Sequence, residues 1–477
     1  MSPYISFKEL PSDANHLYIQ AGPLLNFLYR FAAADTKEYV RNGGYTLARR
    51  ILTSSGAETE ACIQKLEQSG LRGRAGGGFP AGQKWRIVAN RPEDEKYVIC
   101  NANSAQPGGI KERLLLGINP HLVVEISAIA TFTVGARKGF LAMPERLQER
   151  KRIECAIDEA RQMGMLGPNA FGTNRECDLF IYPTPDAYVL GEETALMEVM
   201  EGRAPQPRAK PPLPTAKGLF GAPTLVNNIE TLLHAAFVLA EGPEQFRRAG
   251  LPNAPGTMVF SVVGHVQQPG IYEMPLGTTI RELIFGAAGG TLTGRPVKAV
   301  FPGGICSAVL VESELDTPLD FDSMAEVESD LGSGVVIVIE DGTDMVDVTI
   351  ECAKFLHQVS CGKCQACKDG TYRTVVMLTS LERLDESYVD RRHRPLPMSQ
   401  RSGNFTIINQ PTPPVSYTDS YTGLDRIEQL CEFFKYRGDC HHSYESARSI
   451  QRLLNRFKSE FTMHMKQSKV DQIASHA

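Results

Sequence analysis

Cys361, Cys364 and Cys367 stand at C-x2-C-x2-C spacing, and a fourth cysteine, Cys440, lies beyond a long connection. Three thiolates at that spacing converge on one point, and one remote thiolate closes the tetrahedron that a cubane iron–sulfur cluster requires. Any fold of this chain must therefore return residue 440 to the side of 361–367. Structural zinc also takes four thiolates, usually as two C-x2-C pairs rather than a triplet plus one. The spacing favours the cluster, and with it electron transfer. Cys431, nine residues before Cys440, is the rival for fourth ligand.

The other seven cysteines, Cys62, Cys100, Cys155, Cys177, Cys306, Cys352 and Cys431, follow no pairing pattern and read as buried small hydrophobes in a reducing compartment. No charged segment precedes an apolar run at Met1 to Leu10, and no 18 apolar residues run together. The expectation is a cytoplasmic protein, or one peripheral on a membrane-bound complex, without direct membrane insertion. A net charge of -5 with 22% charged residues gives no sign of a nucleic-acid partner. The length of 477 residues allows two to four domains.

The pattern predicts an α/β multidomain chain. Residues 1–55 form a lead-in whose apolar patch, Ile19 to Phe31, packs as a helix. Residues 56–250 alternate strands (Tyr97 to Cys100, Leu179 to Tyr182) with helices (Pro120 to Val134, Glu192 to Glu201), as a Rossmann-like layer does. Residues 251–330 read as a β-grasp module, with strands at Thr257 to Val266 and Val297 to Phe301 and a helix at Thr279 to Ala287. Residues 331–477 open with the strand Val335 to Glu340. The helix Met345 to Val359 then delivers the cysteine triplet into a helical bundle. Its last helix carries Ile450, Leu453, Leu454, Phe457 and Phe461 on one face. A segment at 385–421, rich in Pro, Ser, Arg and Thr, reads as a flexible insertion.

Between Gly70 and Pro80 the chain has five glycines in nine residues. Such density lets backbone N–H groups turn toward a phosphate, with Arg72, Arg74 and Lys84 as neutralising charges. A flavin or nucleotide phosphate site is one reading and a mobile surface loop the other. Gly73, Ala75 and Gly78 fall at G-x-A-x-x-G spacing, but no strand precedes them as a Rossmann turn requires.

The loop is followed in order by Ile99-Cys100-Asn101-Ala102-Asn103, Ala187 to Leu196, Lys210-Pro211-Pro212, Val226-Asn227-Asn228-Ile229-Glu230-Thr231 and the triplet. From about residue 60 onward the chain resembles the NADH-binding flavoprotein subunit of respiratory complex I and its relatives in NAD-linked hydrogenases and formate dehydrogenases. The resemblance implies FMN in the Rossmann-like domain, NAD(H) stacked on it, and a [4Fe-4S] cluster in the bundle. It also implies a small [2Fe-2S] subunit and a larger iron–sulfur redox subunit as partners. By position it assigns Gly73 and Ala75 to the phosphate and flavin loop. Asn101, Asn103, Tyr188, Gly191, Glu192, Val226, Asn227, Asn228 and Thr231 fall to FMN. Phe79, Lys84, Glu193 and Lys210 fall to NADH, with Glu193 as the catalytic group, and Cys361, Cys364, Cys367 and Cys440 to iron. From the residues alone, Asn227 and Asn228 equally fit a helix cap, and Glu192 and Glu193 fit first-turn acids favoured by the helix dipole. Phe79 fits a small-core residue, and Lys210 a solvated charge.

The nucleotide side departs from the family pattern. Asn103, Ser104 and Gln106 replace acids, Ala75 replaces a glycine, and Ile87 and Leu213 replace phenylalanines. Three readings are open: NADH oxidation with weaker binding, a shift toward NADPH, or an NAD-independent relay or scaffold.

Overall fold

The computed structural model describes residues 17–54, 56–103, 105–383 and 424–464. The expected insertion at 385–421 and Ser104 lie outside them. The lead-in opens with β1 (Tyr18–Gln20) and the helix Pro23–Arg30, whose Leu24, Leu25, Phe27 and Leu28 are buried as the apolar patch predicts; Ile19, expected in that helix, instead pairs with Ile271 in β1.

Four parallel strands follow: β2 (Tyr97–Asn101), β3 (Lys138–Pro144), β4 (Asp178–Thr184) and β5 (Thr224–Asn228), in spatial order β4-β3-β2-β5. Parallel neighbours need crossovers, and buried helices supply them. The helix Pro120–Thr133 is buried along its whole length, and the helix Ile229–Glu241 nearly so. This is the Rossmann-like layer that the alternation predicts.

A second, mixed sheet contains β6 (Thr257–Gly264), β7 (Gly270–Pro275), β8 (Val297–Phe301) and β9 (Val335–Glu340), with β1 at its edge, in order β1-β7-β6-β9-β8. Residues 251–330 do not contain this module by themselves. β9 sits between β6 and β8, and β1 pairs in parallel with β7. The reason is periodicity: β9 is a run of six buried residues, which marks a central strand but names no neighbours.

The helix Met345–Gln358 leaves this sheet and ends just before the triplet. It packs with the helices Thr371–Arg383, Leu424–Lys435 and His442–Arg456 around Ile450, Leu453, Leu454, Phe457 and Phe461, all buried as the helical spacing requires. Among the described residues no single helix is long and apolar enough to cross a membrane.

Candidate functional site

The glycine loop joins two helices, Ala57–Ser69 and Ala81–Ala89, with no strand before it. Arg72 and Pro80 pair across its neck, and the Gly73 N–H donates to the Phe79 carbonyl at 2.9 Å. Gly76 and Gly78 take φ of +100° and +56°, and a Cβ at Gly78 would lie 2.8 Å from Phe321. Of the three cations expected to serve a phosphate, Lys84 and Arg74 border the site and Arg72 does not. Arg74 is fully buried and donates to the carbonyls of Arg72, Pro255 and Thr257, each at 3.0 Å. Burial brings its guanidinium down to about 10. Arg72 donates to the Gly78 carbonyl at 2.8 Å and lies over the Phe321 ring. Both arginines brace the loop; they do not charge it.

β2 and β5 are parallel neighbours, so their C-terminal ends emerge together with Asn101 opposite Asn228. That edge is where parallel α/β sheets bind ligands. Asn101 donates to the Leu190 carbonyl at 2.9 Å and accepts from the Asn103 N–H at 3.0 Å, tying the strand end to the segment Tyr188–Gly191. Asn103 accepts from the Thr184 hydroxyl. Asn227 accepts from the Trp85 indole at 2.9 Å. Asn228 caps the helix Ile229–Glu241 through the Glu230 N–H at 2.9 Å. The Thr231 hydroxyl accepts from the Arg74 N–H at 2.9 Å. The Asn228 cap is the structural role that its position before Ile229 predicts.

Glu192 caps the helix Glu193–Met200, accepting from the N–H groups of Thr194 and Ala195 at 3.0 and 2.8 Å. Lys84 reaches Glu193 at 3.1 Å and the Val226 carbonyl at 3.0 Å. Lys210 reaches Glu192 at 2.8 Å and Glu193 at 3.5 Å. Burial pushes Glu193 up, but the two lysines outweigh it and hold the carboxyl below its ordinary value.

One cavity of about 770 Å³ joins these pieces. Its walls include all fifteen residues that the sequence assigns to cofactors, together with Cys361, Cys367 and Cys440. Phe79 and Leu213 stand at its wall 44% and 55% exposed, placed to cover a ligand. Gln106 is buried, donates to the Gly303 carbonyl at 3.1 Å and accepts from Ser333 at 2.7 Å, so its amide ties the two sheets' loops together. A carboxylate there would meet that carbonyl oxygen with no proton between them. Sequence reasoning missed Cys306, Asp330, His442, Glu445 and Arg448, which complete the wall beside the cysteines. His442, Glu445 and Arg448 recur every third residue on the helix His442–Arg456, a one-face signal legible in the sequence, whereas Cys306 and Asp330 come from separate segments that no spacing links to them.

Cys367 is hydrogen-bonded to both Cys361 and Cys364, and Cys440 lies close enough for both of them to oppose its ionisation. Their mutual contact holds Cys361 down and pushes Cys367 up. Four thiols so crowded can ionise together only around a cationic centre, which is what an iron–sulfur cluster supplies. Cys431 is fully buried on the helix Leu424–Lys435 with Thr374 as its hydrogen-bond partner, and it does not join them. Among the rest, Cys155 is exposed rather than buried, because it falls on the outer face of the helix Glu149–Gln162.

The remaining wall fits FMN. At Gly77 and Gly191 a Cβ would meet nothing within 4 Å, so bare backbone faces the open cavity. Fold and site together define a flavin- and iron–sulfur-bearing oxidoreductase subunit. Family profiles agree: the Nuo51 FMN-binding domain matches residues 66–236, the SLBB domain 259–303, and the NADH-ubiquinone oxidoreductase-F iron-sulfur binding region 347–393. The NADH-quinone oxidoreductase F 2 subunit of Rhizobium meliloti is 34% identical over 431 residues, 90% of this chain and 94% of that protein. The corresponding Escherichia coli protein, the NADH-quinone oxidoreductase F subunit, is 34% identical over 436 residues, 90% and 89%. The NADP-reducing hydrogenase subunit HndC of Solidesulfovibrio fructosivorans is 37% identical over 342 residues, 72% and 69%. A crystal structure of NAD+-reducing [NiFe]-hydrogenase in the H2-reduced state superposes with a TM-score of 0.75 at 26% identity, covering 94% of this chain and 67% of that one. The chain belongs to the family of NADH-quinone oxidoreductase F subunits, and it is an electron-transfer subunit of the NADH dehydrogenase type.

Proposed function

We propose that this chain takes electrons from NADH at its glycine-loop cavity and delivers them singly, through Cys361, Cys364, Cys367 and Cys440, to iron–sulfur centres of partner subunits. The observation that carries the reading is that the assigned flavin wall and three of the four cysteines line one cavity, so no protein layer divides donor from acceptor. When bound, FMN accepts a hydride and releases electrons one at a time, and the [4Fe-4S] cluster carries them on. The loop at Gly73 and Ala75 offers backbone to a phosphate, while Asn101, Asn103, Tyr188, Gly191, Val226, Asn227, Asn228 and Thr231 orient the flavin. Glu192 fixes the start of the helix behind it. Phe79 covers the nicotinamide side, and Lys84, Lys210 and Glu193 position the dinucleotide. Glu193, held ionised by both lysines, acts by charge rather than by passing a proton near neutral pH.

The neutral groups at Asn103 and Gln106 do not argue for loss of NADH, because Gln106 is engaged between loops and Asn103 is held by Thr184. The partners in this reading are a small [2Fe-2S] subunit and a larger iron–sulfur subunit of a redox assembly, in a reducing compartment such as the cytoplasm. Anaerobic purification should give one FMN and about four irons per chain, with dye reduction driven by NADH. FAD in place of FMN, or intact flavin and iron without NADH turnover, would overturn it.

A further inference from the structure

In the wall of the cofactor cavity, three potential ligands meet that the electron path does not use. The coordinating atoms of Cys306, His442 and Glu445 all lie within 4.8 Å of one another. They come from the loop after β8 and from the start of the helix His442–Arg456, and all three line the cavity. Their surroundings match those of metal ligands. The His442 Nε2–H donates to the Leu356 carbonyl at 3.1 Å, which fixes the tautomer and leaves the other ring nitrogen a lone pair. The Tyr188 hydroxyl donates to Cys306 Sγ at 3.0 Å, a bond that strengthens onto a thiolate. Among the described residues the Glu445 carboxylate has no hydrogen bond; its nearest ion-pair partner is His441 at 3.9 Å. The neighbouring Arg448 is committed to Asp330.

We propose that Cys306, His442 and Glu445 form a second metal site, separate from the cluster, which takes one divalent cation of the zinc class and leaves its fourth position open to the cavity. One sulfur, one nitrogen and one oxygen suit a borderline-soft ion, and three protein ligands with an open fourth position is the arrangement of an accessible rather than a purely structural site. Bonds of about 2.0–2.3 Å require the three atoms to close by roughly an ångström, within reach of side-chain rotation.

The test uses the purified chain with flavin and cluster in place, supplied with zinc chloride, desalted, and measured for metal content and zinc-edge X-ray absorption. The expected result is one retained zinc with iron unchanged, and a shell of one sulfur at about 2.3 Å with nitrogen or oxygen at about 2.0 Å. Cys306→Ser should remove the sulfur scatterer, and both Cys306→Ser and Glu445→Gln should weaken zinc retention at least tenfold while flavin and iron stay. Failure to retain zinc overturns the proposal. So does a zinc with several sulfur ligands, which would mark the cluster cysteines, or retention equal in wild type and Glu445→Gln.

Discussion

Lys111→Met tests how the glycine loop is held. The Lys111 ammonium is buried, 2.5 Å from Glu230 and 3.0 Å from the Arg74 carbonyl, with side-chain exposures of 1% for Lys111 and 0% for Glu230. Glu230 also accepts from the Val259 N–H at 2.9 Å, so this one pair joins the glycine loop, the helix Ile229–Glu241 and β6. Methionine refills the stem but leaves a buried carboxylate without its cation, which costs about 3–5 kcal/mol. At about 2–4 °C per kcal/mol for a domain of this size, the melting temperature should fall by roughly 6–20 °C. Flavin affinity should fall as well, because the loop loses its tie at Arg74. Burial pushes Glu230 up, but Lys111 and then His234 outweigh it and hold it at about 2. A depressed carboxyl contributes stability above its unfolded pKa and loses it as pH falls toward the folded value. In the variant burial is opposed only by His234 and the Val259 N–H, so the carboxyl rises and the deficit should be larger at pH 7 than at pH 5. Adding Glu230→Gln should recover more than half of the loss. Thermal and urea unfolding with flavin titration would measure this. A loss under about 1 kcal/mol, or a double variant no better than the single, would refute the reasoning.

Cys440→Ser should remove the reduced cluster's paramagnetic signal, while Cys431→Ser, at a packed core position, should keep about four irons per chain; the reverse would reassign the fourth ligand. Gln106→Glu should lower stability by about 1–3 kcal/mol, since its carboxylate faces the Gly303 carbonyl, and should not tighten NADH in equilibrium titration. Glu193→Gln should weaken NADH about tenfold, corresponding to about 1.4 kcal/mol. Because the lysines hold Glu193 below its ordinary value, the wild-type pH–rate profile should carry no break from this group between pH 6 and 8; a break abolished by Glu193→Gln would make it a proton-transfer group instead.

Much of the molecule was legible along the chain. The helix and strand periods placed Pro120–Thr133, Val297–Phe301 and Val335–Glu340 nearly to the residue, because each element's own burial pattern is written locally; the helical face read at Ile450 to Phe461 is buried too, although the helix His442–Arg456 ends before Phe457. Cysteine spacing marked the triplet for the same reason: a C-x2-C-x2-C turn brings its sulfurs together unaided. The rest depended on which segments meet. Nothing local distinguishes Cys440, whose thiol joins the triplet, from Cys431, which is sealed in the core. Nor can composition say that Arg74 spends its charge on three carbonyls while Lys84 reaches Glu193. The lead-in strand joined the second sheet at its edge and β9 at its interior, because strand pairing follows from tertiary approach rather than from any strand's own residues. Cys306, His442 and Glu445 lie more than a hundred residues apart at their extremes, and only the packing of the final helix against the loop after β8 brings a thiol, an imidazole and a carboxylate to one point.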